Sequence, residues 1–388
     1  MDDLTIIEQM HVPEPPPSPQ TAAAARRRLL QEAAGARSRR IHRSAPLPRS
    51  RRTMVLTAGA TACALAVGSW MTYKWETRPL YHPEPLAGQS GPASTFLLTA
   101  ADAKTRHASD GRLWYVHRVV GETVVAASPY RPGVHYTVQT TLDDYSVTAK
   151  SAKDFGVHLP YSNKDSAGVG WNGGEVAVRP VSPADMAAWK ADFQPGAQDL
   201  SLQQPDEERG PFRGEGAELD FDNADALSLP ADPSKLRAWI LNYATKFDHR
   251  RLNDPDLYLF TGAPIFLVDR VVSDRVRIAT YRMLAGLKGV RMITGTDADG
   301  RTGKGVAMRQ TTGDYGTIEW QLLIDPETGR LTASQGIVVT PGRKNAGLRP
   351  GTREFFEIVK KAEWTNAPTK SLVPKSVTDP ILEPPTGD

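Results

Sequence analysis

The sequence predicts an α+β protein in which an exterior antiparallel sheet packs against a central group of helices, joined to one transmembrane helix and an N-terminal cytoplasmic tail. Three observations lead to this prediction. An uncharged apolar run extends from Thr53 to Tyr73, behind a block of arginines. Several segments after residue 110 alternate apolar and polar residues, as strands do. Residues 229–290 carry apolar side chains at helical spacing.

The chain has 388 residues, which is long enough for more than one structural unit. Shifts in composition predict five parts. Residues 1–53 form an Arg- and Pro-rich cytoplasmic tail, and 54–75 form the transmembrane helix. Residues 76–95 are an extracytoplasmic stalk, 96–366 are the α+β domain, and 367–388 are a flexible C-terminal tail.

Charge is unevenly distributed along the chain. Residues 1–53 contain ten Arg and five Asp or Glu, whereas 76–388 contain 36 basic and 39 acidic residues. A basic end beside a slightly acidic remainder predicts contact with a membrane surface or an anionic partner and argues against a nucleic-acid-binding domain. The single cysteine, Cys63, excludes an intramolecular disulfide and a zinc site built on cysteine pairs.

The apolar run has about 20 residues, the length that crosses the hydrocarbon core as a helix. Positive charge stays on the cytoplasmic side, so the N-terminus is predicted to lie inside and the remainder outside. The residues predicted to set this topology are seven arginines before the run and three aromatic residues at its outer end: Arg37, Arg39, Arg40, Arg43, Arg49, Arg51, Arg52, Trp70, Tyr73 and Trp75. The protein is therefore expected in the cell membrane as a single-pass protein.

Three other interpretations of the run remain open. A cleaved signal peptide would have an unusually long basic region of about 52 residues before its apolar part, compared with ~15–30 for a whole signal. A lipoprotein would use Cys63 but has Ala60 where a leucine is expected. A buried helix of a soluble protein is the third interpretation.

The cytoplasmic tail contains several short segments. Residues 1–12 have a weak helical pattern, 13–19 form a polyproline spacer, and 20–36 are Ala-rich and predicted helical. Residues 37–52 are basic and broken by proline. The tail is interpreted either as a segment that binds a cytosolic partner or as a topology determinant with a linker.

The first half of the exterior portion predicts strands. Residues 111–128 alternate apolar positions, with a turn predicted at Gly121–Glu122, and 135–150 are rich in Thr, Val and Tyr. Residues 156–232 have no regular pattern, except that a helix capped by Ser-Pro is predicted within 182–193.

The second half predicts helices followed by strands. Helices are expected at 229–247, at 254–272 with a bend near Pro264, and at 273–290 with a serine cap and a glycine stop. The remaining elements are two hairpins and one strand, at 289–310 around the turn DADG, at 316–339 around the turn DPETG, and at 353–365.

The motifs that suggest chemistry are weak. GVGWNG, with Gly168, Gly170 and Gly173, matches a phosphate-binding pattern but lacks the strand before it and the helix after it, so a loop is expected. DADG (297–300) and ELDFDNAD (218–225) gather carboxylates without calcium-loop spacing.

The eight histidines also lack metal-ligand spacing. His117 and His135 lie in predicted strands that could face each other, and ordinary packing is the competing interpretation. The sequence therefore predicts no catalytic, cofactor-binding or metal-binding residue, and no enzyme.

Several segments together resemble an uncharacterised family of actinobacterial single-pass membrane proteins. They are the opening MDDLTIIEQMHVPEPPPSPQTAAAARRRLL, the Arg-flanked span, LPADPSKLRAWIL, RMLAGLKGVR and LLIDPETGRL. This family resembles proteins associated with sigma factors, which implies an anti-sigma-like or sensing role. The sequence has no His-x-x-x-Cys-x-x-Cys, so any sigma-factor contact is expected in the short tail.

Three functions are compatible with these observations. The first is a membrane-anchored regulatory or sensory protein with an exterior binding domain and a sigma factor as the cytosolic partner. The second is an envelope protein that binds an apolar or lipid-like ligand without catalysis, which a preformed apolar cavity would favour. The third is an exterior enzyme, which would require polar groups converging in a cleft.

Overall fold

The fold comes from a computed structural model. The residues that it describes are 79–86, 90–150, 168–172, 176–202, 226–246 and 251–372. The chain divides into two compact units, Met1–Trp75 and Glu76–Asp388. All of the described residues belong to the second unit, and the elements below are numbered within it.

Nine strands of the described chain form one antiparallel sheet. The strands are β1 Leu113–Ala127, β2 His135–Ala149, β3 Gly168–Asn172, β4 Ala177–Pro180, β5 Arg291–Thr296, β6 Thr302–Thr312, β7 Gly316–Asp325, β8 Arg330–Thr340 and β9 Arg353–Thr365. Their order is β3-β2-β1-β9-β8-β7-β6-β5, and β4 also pairs with β2. The pairing of β1 with β9 joins an N-terminal hairpin to a C-terminal five-stranded meander.

Six described helices pack against this sheet. They are α1 Pro92–Arg106, α2 Pro183–Ala191, α3 Pro233–Ala244, α4 Pro255–Pro264, α5 Asp274–Ala285 and α6 Thr369–Leu372. The main core lies between the sheet and α1, α3, α4 and α5, which contribute Leu97, Leu236, Phe260 and Leu284. The predicted α+β class, with an antiparallel sheet packed against a central group of helices, is therefore confirmed.

Local signals set the beginnings of four helices. The cap side chains each accept a hydrogen bond from a backbone N–H in the first turn, and they are Ser182, Asp232, Asp254 and Ser273. Three of the four are followed by proline, which lacks the N–H that a first helical residue would leave unpaired. Each cap contributes about 1 kcal/mol. The predicted serine caps of α2 and α5 are confirmed.

The helix predicted across 254–272 changes form at Pro264, where the sequence predicts a bend. Helix α4 ends at Pro264 and continues as one π-helical turn, Ile265–Asp269. Proline has no N–H for the helical ladder, and its ring crowds the preceding turn, so the helix widens here. The chain then leaves the helix through Val271 and Val272, which are fully buried.

Strand β1 runs without interruption through the predicted turn at Gly121–Glu122, so that prediction is wrong. Gly121 pairs with Thr141 on one side and with Phe356 on the other. A Cβ atom at this position would lie 2.3 Å from both the carbonyl oxygen of Thr140 and the ring of Phe356. The glycine therefore provides space for an aromatic ring inside the sheet.

The predicted stalk at 76–95 is corrected where the structure describes it. Helix α1 begins at Pro92, inside the predicted stalk. Tyr81 is buried in the main core, and the side chain of Asn242 bonds both its backbone N–H and its carbonyl, at 2.9 and 2.7 Å. The backbone N–H of Leu252 donates to the Tyr81 hydroxyl at 2.8 Å. These residues belong to the packed domain.

The β5–β6 hairpin covers the face of the meander that points away from the main core. The carbonyl of Thr296, at the end of β5, accepts hydrogen bonds from Gln335 at 3.1 Å and Arg353 at 2.7 Å, although these lie on β8 and β9. Gly295 permits this approach, because a Cβ there would lie 2.9 Å from Leu323. The sheet therefore curls over itself. The DADG and DPETG turns predicted for the two hairpins are confirmed.

Several predictions concern residues outside the described ranges. These include the tail 1–53, the span 54–75 and the end of the chain from 373. Within the described ranges, no helix has the length and apolar character needed to cross a bilayer. The described start of the predicted C-terminal tail forms α6, and Leu372 packs against the small cluster around Tyr115.

We expect Gly121→Ala to lower the free energy of unfolding by about 2 kcal/mol or more, because the new methyl group overlaps Phe356 and the Thr140 carbonyl. Gly303→Ala is the matched control, because it also lies in a strand and nothing lies within 4 Å of its added Cβ. Urea unfolding monitored by tryptophan fluorescence measures both variants. Equal stability of the two variants would contradict the packing described for Gly121.

Candidate functional site

Arg277 of α5 is the most deeply buried basic residue of the described domain, with 1% of its surface exposed. Its guanidinium donates to the carbonyls of Leu267 at 3.4 Å, Arg270 at 3.2 Å and Val272. These carbonyls belong to the π turn and the segment after it. Arg277 therefore supplies donors to backbone acceptors of this segment, where the carbonyl of Arg270 also accepts from the backbone N–H of Val272 at 2.9 Å.

The same guanidinium lies over an aromatic pair on the sheet. Its central carbon is 3.6 Å from the ring centroid of Trp114 and 5.9 Å from that of Trp364. The two indoles meet edge to face at 5.3 Å. The Trp114 indole also donates to the carbonyl of Val268 at 2.6 Å. Helix α5, the π turn and strands β1 and β9 thus meet at one stacked cation.

Lys104 of α1 is a second buried cation beside Arg277, with 9% of its surface exposed. Its ammonium lies 3.4 Å from Asp274, and Arg277 lies 3.3 Å from the same carboxylate oxygen. Burial lowers the pKa of Lys104, Asp274 opposes this effect, and the charges of Arg277 and Arg330 lower it further. Burial likewise lowers the pKa of Arg277 to about 10. Two buried cations therefore share one carboxylate.

A cavity of about 20 Å³ lies beside these cations. Its lining residues are Lys104, Trp114, Leu267, Val268, Arg277, Tyr281, Gly329, Arg330, Leu331 and Ala362. The floor is fixed by the β7–β8 turn, where the Tyr281 hydroxyl donates to the carbonyl of Gly329 at 2.9 Å. Gly329 has φ +65°, and a Cβ there would lie 2.3 Å from the carbonyl oxygen of Ala100. The turn therefore packs directly under α1.

The cavity can hold one particle the size of a water molecule, because about 10–15 Å³ is the minimum for that. Three cations line it, and a single carboxylate, Asp274, contacts two of them. No hydroxyl or thiol nucleophile paired with a base stands among the lining residues.

A half-buried charge cluster surrounds Arg118 of β1 and has the opposite balance. Its guanidinium contacts Asp144 at 2.6 Å, Asp269 at 2.7 Å and Glu357 at 3.5 Å. Burial alone would lower the pKa of Arg118, but the three carboxylates outweigh burial and raise it. Since Asp269 ends the π turn, this cluster fixes the turn to three adjacent strands.

An open groove of about 940 Å³ lies at the other end of the helices. Its charged lining residues are Arg237, Asp254, Asp256, Lys288, Arg291 and Arg309. Most of these charges are already paired. Arg237 lies 3.1 Å from Asp256, while Arg291 and Arg309 both contact the buried Glu319.

The glycine-rich motif takes a form that the sequence did not predict. Gly168 and Gly170 lie in strand β3, at the edge of the sheet beside β2, so the expected loop is wrong there. Gly173 lies outside the described residues. The next element of the described chain is β4, a strand, and a phosphate site of this type requires a helix.

The carboxylate of Asp297, a possible metal ligand in the sequence, stabilises the DADG turn instead. In DADG, Asp297 accepts from the backbone N–H groups of Asp299 and Arg301, both at 2.9 Å, and from the Arg301 guanidinium at 2.8 Å. The segment 218–225 lies outside the described residues. Across the ranges that the structure describes, no three His, Cys, Asp or Glu side chains form a group that could hold a metal ion.

His117 and His135 do not face each other, so that possibility is wrong. In the β1–β2 register His117 lies opposite Tyr145, and His135 lies opposite Ala127 near the far end of the hairpin. The His117 ring stacks on Tyr145 at 4.2 Å and contacts Asp143 at 2.7 Å. Both contacts join side chains of the neighbouring strands β1 and β2.

The sequence reasoning missed Lys104, Arg277 and Arg330. A signal was present in the helices, because Arg277 is followed by Tyr281 and Leu284 at helical spacing on the buried side. Lys104 likewise follows Leu97 and Ala100. A cation within an apolar stripe indicates a buried charge. The ten residues predicted to set the membrane topology lie outside the described ranges.

Comparisons with known proteins identify no family for this chain. No protein-family model matches the sequence. No curated protein matches it significantly.

We expect Arg277→Met to lower the free energy of unfolding by about 3–5 kcal/mol, because it leaves buried carbonyls without donors and Asp274 without its closer cation. Arg282→Met on the same helix is the control. Its side chain is 48% exposed and lies 3.9 Å from an exposed Asp102, so a change below about 0.5 kcal/mol is expected. Denaturant unfolding of both variants provides the measurement, and a small effect at Arg277 would refute its structural role.

Proposed function

We propose that the protein is a single-pass membrane-anchored protein with an extracytoplasmic binding or sensing domain and a cytoplasmic tail that contacts a sigma factor. The observation that carries this proposal is the apolar run at 54–75, preceded by arginines and no acidic residue within 37–52. The resemblance to sigma-factor-associated membrane proteins supports the regulatory role of the tail.

The described domain supports binding in preference to catalysis. Its charged side chains satisfy backbone carbonyls at Arg277 or join strands at Arg118, and three cations line a small cavity. Residues 76–388 contain no cysteine and therefore no disulfide bond. The domain must be stabilised by buried apolar surface and by such contacts.

The alternative function, an envelope protein that binds an apolar or lipid-like ligand, stays a prediction. The cavity beside Arg277 does not favour an apolar ligand, because about 20 Å³ is too small for a lipid chain. Its lining also includes the charged residues Lys104, Arg277 and Arg330.

The membrane topology is testable by cysteine labelling in a Cys63→Ala background. We expect a membrane-impermeant maleimide to label Gly313→Cys in intact cells, because this residue is exposed and its side-chain position is open. Ser18→Cys, in the predicted tail, should react only after permeabilisation. The opposite labelling pattern would overturn the topology, and loss of the N-terminal segment from the membrane fraction would indicate cleavage.

The tail contact is testable with the full chain. We expect a sigma factor to copurify with the intact protein after crosslinking in cells. A variant in which residues 1–36 are scrambled should lose this partner, while the arginines at 37–52 keep its topology unchanged. Equal recovery of the sigma factor by both forms would exclude sequence-specific recognition by the tail.

A further inference from the structure

We propose that the cavity between α1, α5 and the β7–β8 turn binds one small monovalent anion of chloride size, held by Lys104 and Arg330 beside the stacked Arg277. This inference rests on the proposed binding role of the domain and names the class of ligand. It does not depend on the side of the membrane on which the domain lies.

The first argument is charge. Lys104 and Arg277 are both at least nine-tenths buried, and Asp274 is the carboxylate that both contact. Arg330 also lines the cavity, but it is exposed and its charge acts on the carboxylate of Asp325. Burying uncompensated positive charge is costly, and a bound anion removes that cost.

The second argument is hydrogen bonding. The Arg277 guanidinium is already committed to the carbonyls of Leu267, Arg270 and Val272. The Lys104 ammonium has three donors, and among the described residues its one partner is Asp274 at 3.4 Å. Lys104 therefore has donors to spare at the cavity, and burial has already lowered its pKa.

The third argument is size and shape. A volume of about 20 Å³ has room for one small sphere and is small for a sulfate or phosphate group. The walls are rigid on two sides, because Gly329 packs against the carbonyl of Ala100 and Tyr281 bonds Gly329. The indole of Trp114 and the side chains of Leu267 and Leu331 supply apolar surface. A weakly hydrated halide is suited to such a mixed environment.

The test is thermal unfolding of the full chain in non-ionic detergent, with sodium chloride compared with sodium gluconate at equal ionic strength. At about ten times the dissociation constant, chloride should raise the melting temperature by about 3 °C relative to gluconate. Bromide should replace chloride, and sulfate should give no cavity-dependent shift.

Two variants locate the effect at the cavity. Lys104→Met should abolish the chloride shift while keeping apolar packing, and Arg330→Gln should reduce it without a folding defect, because Arg330 is exposed. Arg349→Gln is the matched control, since it is another exposed arginine, outside the cavity lining, and should keep the full shift.

Equal melting temperatures in chloride and gluconate would overturn the proposal, and so would an unchanged chloride shift in Arg330→Gln. Crystals soaked in bromide give a direct readout, with an anomalous peak expected next to Lys104. Absence of that peak would assign the cavity to water. The labelling experiment on topology is separate, so failure of either inference is recognised independently.

Discussion

The guanidinium of Arg277 is the contact at which the helical layer and the sheet meet. Pro264 interrupts α4, and the π turn that follows leaves carbonyls pointing into a region where water is scarce. An unpaired buried carbonyl costs about 1–3 kcal/mol, so a group with several fixed donors is needed there. The planar fork of arginine meets three carbonyls and stacks on Trp114, whereas the single ammonium of lysine would satisfy fewer. This contact joins β1 to the helical layer.

Arg118 and Arg277 show that the pKa of an arginine depends on the balance of charges around it. Arg118 lies among three carboxylates, and its pKa is raised although burial acts in the other direction. Arg277 shares Asp274 with Lys104, and its pKa is lowered. The first cluster is internally compensated and joins strands to the π turn. The second retains excess positive charge beside a cavity, which is why the candidate site lies there and not at Arg118.

The elements that the sequence predicted correctly are those with local causes. Caps such as Ser273, the break at Pro264 and the DPETG turn each act within a few residues, so single-sequence patterns reveal them. Glycine is required at position 121 because the ring of Phe356, 235 residues further along the chain, occupies the space of a side chain. The local sequence does not show this contact and suggested a turn instead. Helix α1 is Ala-rich and weakly patterned, and the β1–β9 pairing has no local signature. The cavity combines four distant segments, so its cations could be suspected individually but not placed together.

The size of the cavity determines what the domain can sense. Under the proposed anion binding, a site of about 20 Å³ would respond to the ionic composition of its surroundings and not to a large ligand. Its occupant would contact α1, α5 and the turn at Gly329 together, so binding would strengthen the contact between helices and sheet that Arg277 already maintains. A ligand changes an equilibrium only by its difference in affinity between two states. Under the proposed topology, a change in anion concentration therefore acts first on the stability of the exterior domain, and reaches the cytoplasmic tail only through a second state in which this cavity is open.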